Sequence, residues 1–281
     1  MSVKQRTLKS EFSLNGKGLH TGKQVTATFK PAEENFGYRI RRMDLEGSPE
    51  IPALAEYVKL MDRASCLEKD GVCVFTMEHA MAALYGSGID NCLIELSGEE
   101  FPILDGSAKY YVEEIEKVGF EEQKADRRYF TVKEQMEFCS EDGQTKITLL
   151  PDTDYNINLV VAYDSPYLQM QYATYSEKVT DFAKEIAPCR TFVFLRELEM
   201  LLQHNLIKGG DLDNAIVIVD REISQEEVNR LAKLFNHDSI EVKQGILNNL
   251  DLYFDNEPAR HKLLDVIGDL SLCGRFIKGR V

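Results

Sequence analysis

The sequence predicts an α+β fold in two halves, and three observations lead there. Apolar runs of strand length and apolar patterns of helical period both occur along the chain. They are mixed without the strict alternation of a doubly wound parallel sheet, which favours sheets layered with helices. A charged stretch at 121–128, nearly free of apolar residues, separates two parts that are each of ordinary domain size. The expected division is therefore 1–126 and 127–281.

Alternating or continuous apolar runs predict strands at 25–29, 92–96, 147–150, 157–162 and 215–219. Helical spacing predicts helices at 77–84, 108–118, 196–206, 226–235 and 259–272. Thr76 reads as the N-cap of the first helix and Ser107 as that of the second. Ser224 with Glu227 reads as a capping box, and Pro258 suits the first turn of the last helix.

Composition narrows the function. The chain has 281 residues, 43% of them hydrophobic, enough for real cores. Its net charge is −14, from 47 acidic against 33 basic residues. That balance argues against nucleic acid as a partner, because phosphate neutralisation needs clustered Lys and Arg. The six cysteines (Cys66, Cys73, Cys92, Cys139, Cys189, Cys273) contain no C-x-x-C pair and no secreted disulfide spacing. They read as reduced thiols of a cytoplasmic protein. The first ten residues lack the apolar stretch of a signal peptide, and no run of about 18 apolar residues predicts a membrane span.

The chemistry concentrates in a few segments. In P-A-R-H-K-L-L-D-V-I-G-D-L, His261, Asp265 and Asp269 lie at successive steps of four and share one helix face. Leu263, Leu264, Val266, Ile267 and Leu270 cover most of the rest. Titratable groups on so apolar a helix need partners, since burial alone costs several kcal/mol. A divalent metal is one partner; a His–Asp hydrogen bond on a solvated face is the alternative. In F-T-M-E-H-A-M-A-A-L, Glu78 and His79 fall in the first turn. A Glu beside a metal-bound His can take a proton from metal-bound water, although Glu78 could simply complement the helix dipole. Together the segments supply two imidazoles and one carboxylate, the three-ligand set of many catalytic zinc sites. Fe(II) and other divalent ions accept the same donors.

Three further segments stand out. Thr191 in C-R-T-F-V-F-L-R is either an oxyanion donor or a core residue. N-G-K-G-L-H-T-G at 15–22 lacks Walker spacing and reads as a tight turn with His20 exposed at its tip. F-P-I-L-D-G-S-A at 101–108 reads as a strand end, a turn and a helix cap.

Several of these motifs, in this order, resemble the UDP-3-O-acyl-N-acetylglucosamine deacetylase (LpxC) family. They are G-K-G-L-H-T-G, R-R-M-D-L at 41–45, T-M-E-H-A-M-A-A-L, G-I-D-N at 88–91 and F-P-I-L-D-G-S-A. R-T-F-V-F, G-G-D-L-D-N-A-I-V at 209–217 and R-H-K-L-L-D-V-I-G-D-L follow. The resemblance covers nearly the whole chain. It implies two similar α+β domains, each a sheet packed with helices and carrying a small insert, with the active site between them. It implies hydrolysis of the acetamide of UDP-3-O-(3-hydroxyacyl)-N-acetylglucosamine, a committed step toward lipid A in Gram-negative bacteria.

Carried over residue by residue, the resemblance makes His79, His261 and Asp265 the zinc ligands and Glu78 the general base. Thr191 becomes the oxyanion donor, Lys262 a substrate-contacting cation and Asp269 the partner of a catalytic histidine. Phe192 and Phe194 line an acyl-chain passage, with Gly209 and Gly210 on its other wall, and Tyr163 falls near the family's uracil-stacking ring. The family's general-acid histidine follows a stretch like G-R-F-I-K-G-R-V, where this sequence ends, and none of His20, His79, His204, His237 and His261 has its context. The expectation is a shortened, monomeric chain. It would bind zinc and the UDP-linked acylated glucosamine yet turn over slowly, since a lost general acid costs about 10²–10⁴-fold. The alternative is a non-catalytic or weakly active binding module. Some relatives continue into a fused dehydratase domain.

Overall fold

Strand and helix patterns resolve into sheets that enclose a helical layer. The structure is a computed structural model that describes residues 2–61, 64–163, 165, 168–203, 208–209, 213–234, 240–243, 245–247 and 250–281. The helices are α1 (Glu78–Gly86), α2 (Lys109–Val118), α3 (Phe182–Glu185), α4 (Leu195–Gln203), α5 (Gln225–Leu234) and α6 (Glu257–Ser271). The predicted helices and strands are all present, the strand at 92–96 with the predicted ends and the others with shifted ones; positions 204–206 and 235 lie outside the described residues.

A five-stranded sheet runs Phe12–Lys17, Gln24–Pro31, Cys92–Leu96, Tyr38–Arg42, Glu50–Pro52 in spatial order. Its pairs are antiparallel except Cys92–Leu96 beside Tyr38–Arg42. A four-stranded sheet runs Tyr129–Thr131, Phe276–Arg280, Tyr155–Val161, Gln171–Ser176. Helix α2 lies against the first sheet, α6 against the second, and α1 packs on both helices. This is the α+β layering expected. Two side units project from it: a three-stranded sheet within 58–75, and a four-stranded sheet with α4 and α5 within 192–247.

The helical layer is apolar because it is covered on both sides. In α1 every residue from His79 to Tyr85 is buried. Phe29 stacks on Phe12 at 4.8 Å and meets Tyr111 of α2 edge-on at 5.7 Å. Tyr85 of α1 stacks on Phe276 at 4.4 Å, and its hydroxyl accepts the Ile277 N–H at 2.7 Å. These aromatic contacts join the main core across both halves of the sequence. Leu195, Leu198, Val217 and Val228 belong to a separate small core in the second side unit.

Three local expectations need correction. The charged stretch expected as a linker is the strand Phe120–Asp126, paired antiparallel with Lys4–Leu8. Its ladder is made by backbone groups, so exposed Glu and Lys side chains do not prevent it. Thr76 does not cap α1: the N-cap is Met77, with no side-chain hydrogen bond. Thr76 instead has φ +56° and sends its hydroxyl to Glu100. For a β-branched residue that conformation is an outlier. Ser107 accepts the Lys109 N–H at 3.1 Å, but the N-cap position of α2 belongs to Ala108. The capping box of α5 is present, with Glu227 N–H on Ser224 Oγ at 3.3 Å and Ser224 N–H on Glu227 at 2.9 Å.

Candidate metal centre

Helices α1 and α6 bring the two titratable segments together. Glu78 and His79 open α1, and His261 and Asp265 sit one turn apart on α6. The ligand atoms of His79, His261 and Asp265 lie within 4.8 Å of one another. His261 Nε2 is 3.4 Å and His79 Nε2 3.7 Å from Asp265 Oδ1. Two ligands each about 2.0–2.1 Å from one tetrahedral ion stand about 3.3–3.5 Å apart, so the spacing suits a divalent ion.

The chemistry of the donors agrees. Burial lowers the pKa of both histidines, His261 to about 4, keeping the imidazoles neutral with a lone pair to offer. His261 Nδ1–H donates to the Cys189 carbonyl at 3.0 Å, which leaves Nε2 facing the cluster. Burial pushes the Asp265 carboxyl up, but His261, Lys262 and His79 more than offset it and hold it below its ordinary range. Its Oδ1 is buried with no hydrogen-bond partner. An orphaned carboxylate oxygen is costly, and a cation between it and the two imidazoles would satisfy it. The residues present therefore fit a metal.

Around this cluster stand the other expected residues. Burial first, then the charge of Asp265, raises Glu78 to about 7, while His20 is near enough to act the other way. Asp269 is open to solvent, yet the surrounding protein desolvates its carboxyl enough, with Asp265 and Glu78 assisting, to raise it to about 7. Lys262 donates to Asp265 Oδ2 at 3.0 Å, and its ammonium lies 5.5 Å from the centroid of the Phe192 ring. Phe192 meets His261 edge-on at 6.4 Å. Tyr163, Phe192 and Phe194 form an aromatic trio with centroids 5.6–6.2 Å apart. The Tyr163 hydroxyl is buried without a partner.

Thr191 immediately precedes the strand Phe192–Phe194 and is half-buried. Its N–H donates to Gly106 at 2.7 Å and its carbonyl accepts the Ile216 N–H at 2.8 Å. Gly106, at φ +80°, permits this approach, since a Cβ there would strike the Asn214 carbonyl. Gly209 rests instead on the 18–22 turn, donating to the Leu19 carbonyl at 3.0 Å. Gly210, His204 and His237 lie outside the described residues. His20 is exposed and Gly22 (φ +65°) closes the turn, as the sequence suggested. A separate cavity of about 310 Å³ opens at the far ends of α1 and α6, beside Tyr85 and Ser271. None of the metal-donor residues lines it.

Three contributors escaped the sequence reading. Glu100 is 2% exposed and joins the 18–22 turn to Thr76. Asp105 lies near enough to act on His79, and its carboxylate accepts the Ser107 hydroxyl at 2.7 Å. Cys189 contributes only its carbonyl, a role that no residue type announces.

Fold and site together define an α+β protein with a candidate divalent-metal centre and a half-buried carboxylate, Glu78, beside it. The sequence matches the model of the UDP-3-O-acyl N-acetylglycosamine deacetylase (LpxC) family over residues 5–238 and 237–281, and the chain belongs to that family. It is 54% identical over 280 residues to a bifunctional enzyme LpxC/FabZ of Bacteroides thetaiotaomicron, covering 99% of this chain and 60% of the relative. A protein of the same name from Porphyromonas gingivalis is 50% identical, with 99% and 60% covered. A UDP-3-O-acyl-N-acetylglucosamine deacetylase of Marinobacter nauticus is 39% identical, with 99% and 84% covered. The chain thus spans about 60% of the length of the bifunctional relatives. No helix among the described residues is long and apolar enough to cross a membrane.

Proposed function

We propose that the chain hydrolyses the acetamide of UDP-3-O-(3-hydroxyacyl)-N-acetylglucosamine to the free amine and acetate, using zinc held by His79, His261 and Asp265. The observation that carries this reading is the convergence of those three donors beside Glu78 in a chain of this family. Two imidazoles and a carboxylate suit catalytic zinc with a fourth position left open; Fe(II) accepts the same donors. When bound, such an ion supplies Lewis-acid polarisation and an acidified water.

The chain's own groups supply the rest. Glu78 takes the proton of the attacking water and returns it toward the departing amine. The Thr191 hydroxyl donates to the oxyanion as it develops. Lys262, fixed by Asp265, brings positive charge to the same side. Asp269 stands where the family's aspartate orients a catalytic histidine. Phe192 and Phe194 offer an apolar wall for the acyl chain; the family resemblance assigns Gly209 and Gly210 to its other wall and Tyr163 to the uracil. The names of the bifunctional relatives support a place for this chain as the deacetylase part of a longer protein that also carries a dehydratase. The domain division at 126–127 has support from strand pairing: Asp126 pairs with Lys4, whereas Tyr129 pairs with Phe276. The six unbridged cysteines support a reducing, cytoplasmic setting.

The test is metal analysis joined to an acetate-release assay on the UDP-linked substrate. Glu78→Ala should abolish release while the metal stays bound. Zinc-loaded protein that frees no acetate would overturn the reading, as would an undiminished rate in the variant. Equal rates on simple acetamides would remove the UDP-sugar from the assignment.

A further inference from the structure

Glu100 carries a buried carboxylate that the mechanism above does not use. Each of its oxygens accepts two hydrogen bonds. Oε1 takes the His20 N–H at 2.9 Å and the Thr76 hydroxyl at 3.0 Å. Oε2 takes the Thr21 N–H at 2.9 Å and the Thr21 hydroxyl at 2.8 Å. No cation pairs with it among the described residues. The four donors therefore do the work of balancing a charge that is 2% exposed.

Those donors come from two places that border the candidate centre. Thr76 stands two residues before Glu78, in a left-handed conformation (φ +56°) that a β-branched residue rarely adopts. Strand bridging fixes the backbone on both sides of this contact: Phe75 N–H donates to the Glu99 carbonyl at 2.9 Å, and Phe101 N–H to the Phe75 carbonyl at 3.1 Å. His20 sits on the 18–22 turn, in the neighbourhood of Glu78. Gly18 leaves no room for a Cβ, because the Glu100 carboxylate fills that space. One side chain thus ties the turn bearing His20 to the entry of the helix bearing Glu78 and His79.

We propose that Glu100 is a positioning residue that holds His20 and the Glu78–His79 pair in register around the reacting centre. The proposal rests on the function proposed above and deepens it. Only a carboxylate meets the demand. A glutamine has one acceptor oxygen, and its amide nitrogen would face the N–H of either His20 or Thr21, donor against donor. An aspartate is one methylene too short to span both groups.

The test compares Glu100→Gln, Thr76→Val and Thr76→Ser in the full chain. Three quantities are read: the visible spectrum of the Co²⁺-loaded protein, Zn²⁺ affinity by chelator competition, and kcat against KM for acetate release. Glu100→Gln should alter the Co²⁺ spectrum, weaken Zn²⁺ binding about 10-fold and lower kcat about 10–100-fold, with KM changed far less. Thr76→Val should move the same readouts in the same direction, and Thr76→Ser, which keeps the hydroxyl, should restore them. Wild-type spectra and kcat in both Glu100→Gln and Thr76→Val would overturn the proposal. So would a Thr76→Ser variant as impaired as Thr76→Val, which would point to packing alone. If Glu100→Gln does not fold, the valine–serine pair decides by itself. If the wild type releases no acetate, the proposed function fails, while the Co²⁺ spectra and Zn²⁺ affinities still decide the positioning role.

Discussion

Gly268 of α6 lies so close to Glu78 of α1 that the Glu78 carbonyl oxygen occupies the space a Cβ would need. A glycine inside a helix costs about 1 kcal/mol relative to alanine, so the close approach must repay it. It sets the separation of the two helices that carry the donors. Gly268→Ala should force them apart, at about 1–3 kcal/mol for overpacking, and weaken metal binding as well. Calorimetry and chelator competition check this; unchanged melting and affinity would show that the contact yields without consequence.

Arg190 and Glu257 form a buried ion pair just ahead of that geometry. Arg190 Nε donates to Glu257 Oε1 at 2.9 Å, and the two residues are 5% and 0% exposed. Glu257 also accepts the N–H groups of Arg190 (3.0 Å) and Tyr253 (2.7 Å). Glu257→Ala strands a buried guanidinium, which typically costs about 3–5 kcal/mol. It should also loosen the Cys189 carbonyl that orients His261, one residue before Arg190. Denaturant unfolding measures the first effect and metal affinity the second. A loss under about 1 kcal/mol would mean that water or another group replaces the carboxylate.

Metal removal should expose the cost of the cluster. A ligand that binds only the folded state adds about 4 kcal/mol at a thousandfold excess over Kd. A chelator should therefore lower the melting temperature of the wild type. His261→Ala and Asp265→Ala should melt at a temperature the chelator no longer changes. A variant that keeps the full chelator response would remove its residue from the ligand set.

Glu227 predicts a pH effect far from the site. The Ser224 N–H first, then Arg221 and the Ser224 hydroxyl, hold its carboxyl down at about 2. A folded pKa below the unfolded value of about 4.3 adds stability that is fully present above that value. It is lost as pH falls toward about 2. Thermal melts between these limits should fall more steeply for the wild type than for Glu227→Gln. Parallel curves would show that the cap carries no linkage. High salt should shrink the difference, because the pair is exposed.

Much of the candidate site was legible because helical spacing is a local property. H-x-x-x-D puts His261 and Asp265 on one face whatever surrounds them, and an E-H pair at a helix start puts His79 in its first turn. The aromatic trio was partly legible, since Phe192 and Phe194 alternate along one strand; the join with Tyr163, some thirty residues away, was not. Glu100 was invisible for another reason. A buried carboxylate and an exposed one have the same letter, and only its donors, 24 to 80 residues distant, tell them apart. The strand Phe120–Asp126 was missed because its polar side chains mimic a linker while its backbone makes the ladder.

The order of motifs along the chain, by itself, determined the family, and residue spacing determined which donors share a helix face. The α+β class followed from apolar periodicity, because strand and helix repeats differ enough to be read over a few residues. Tertiary structure alone decided that α1 meets α6, that three donor atoms converge within 4.8 Å, and that one Asp265 oxygen is left unsatisfied. Convergence depends on packing between segments about 180 residues apart. No local pattern encodes such a distance, because side-chain periodicity sets which way a group faces and only the closed core sets what it meets.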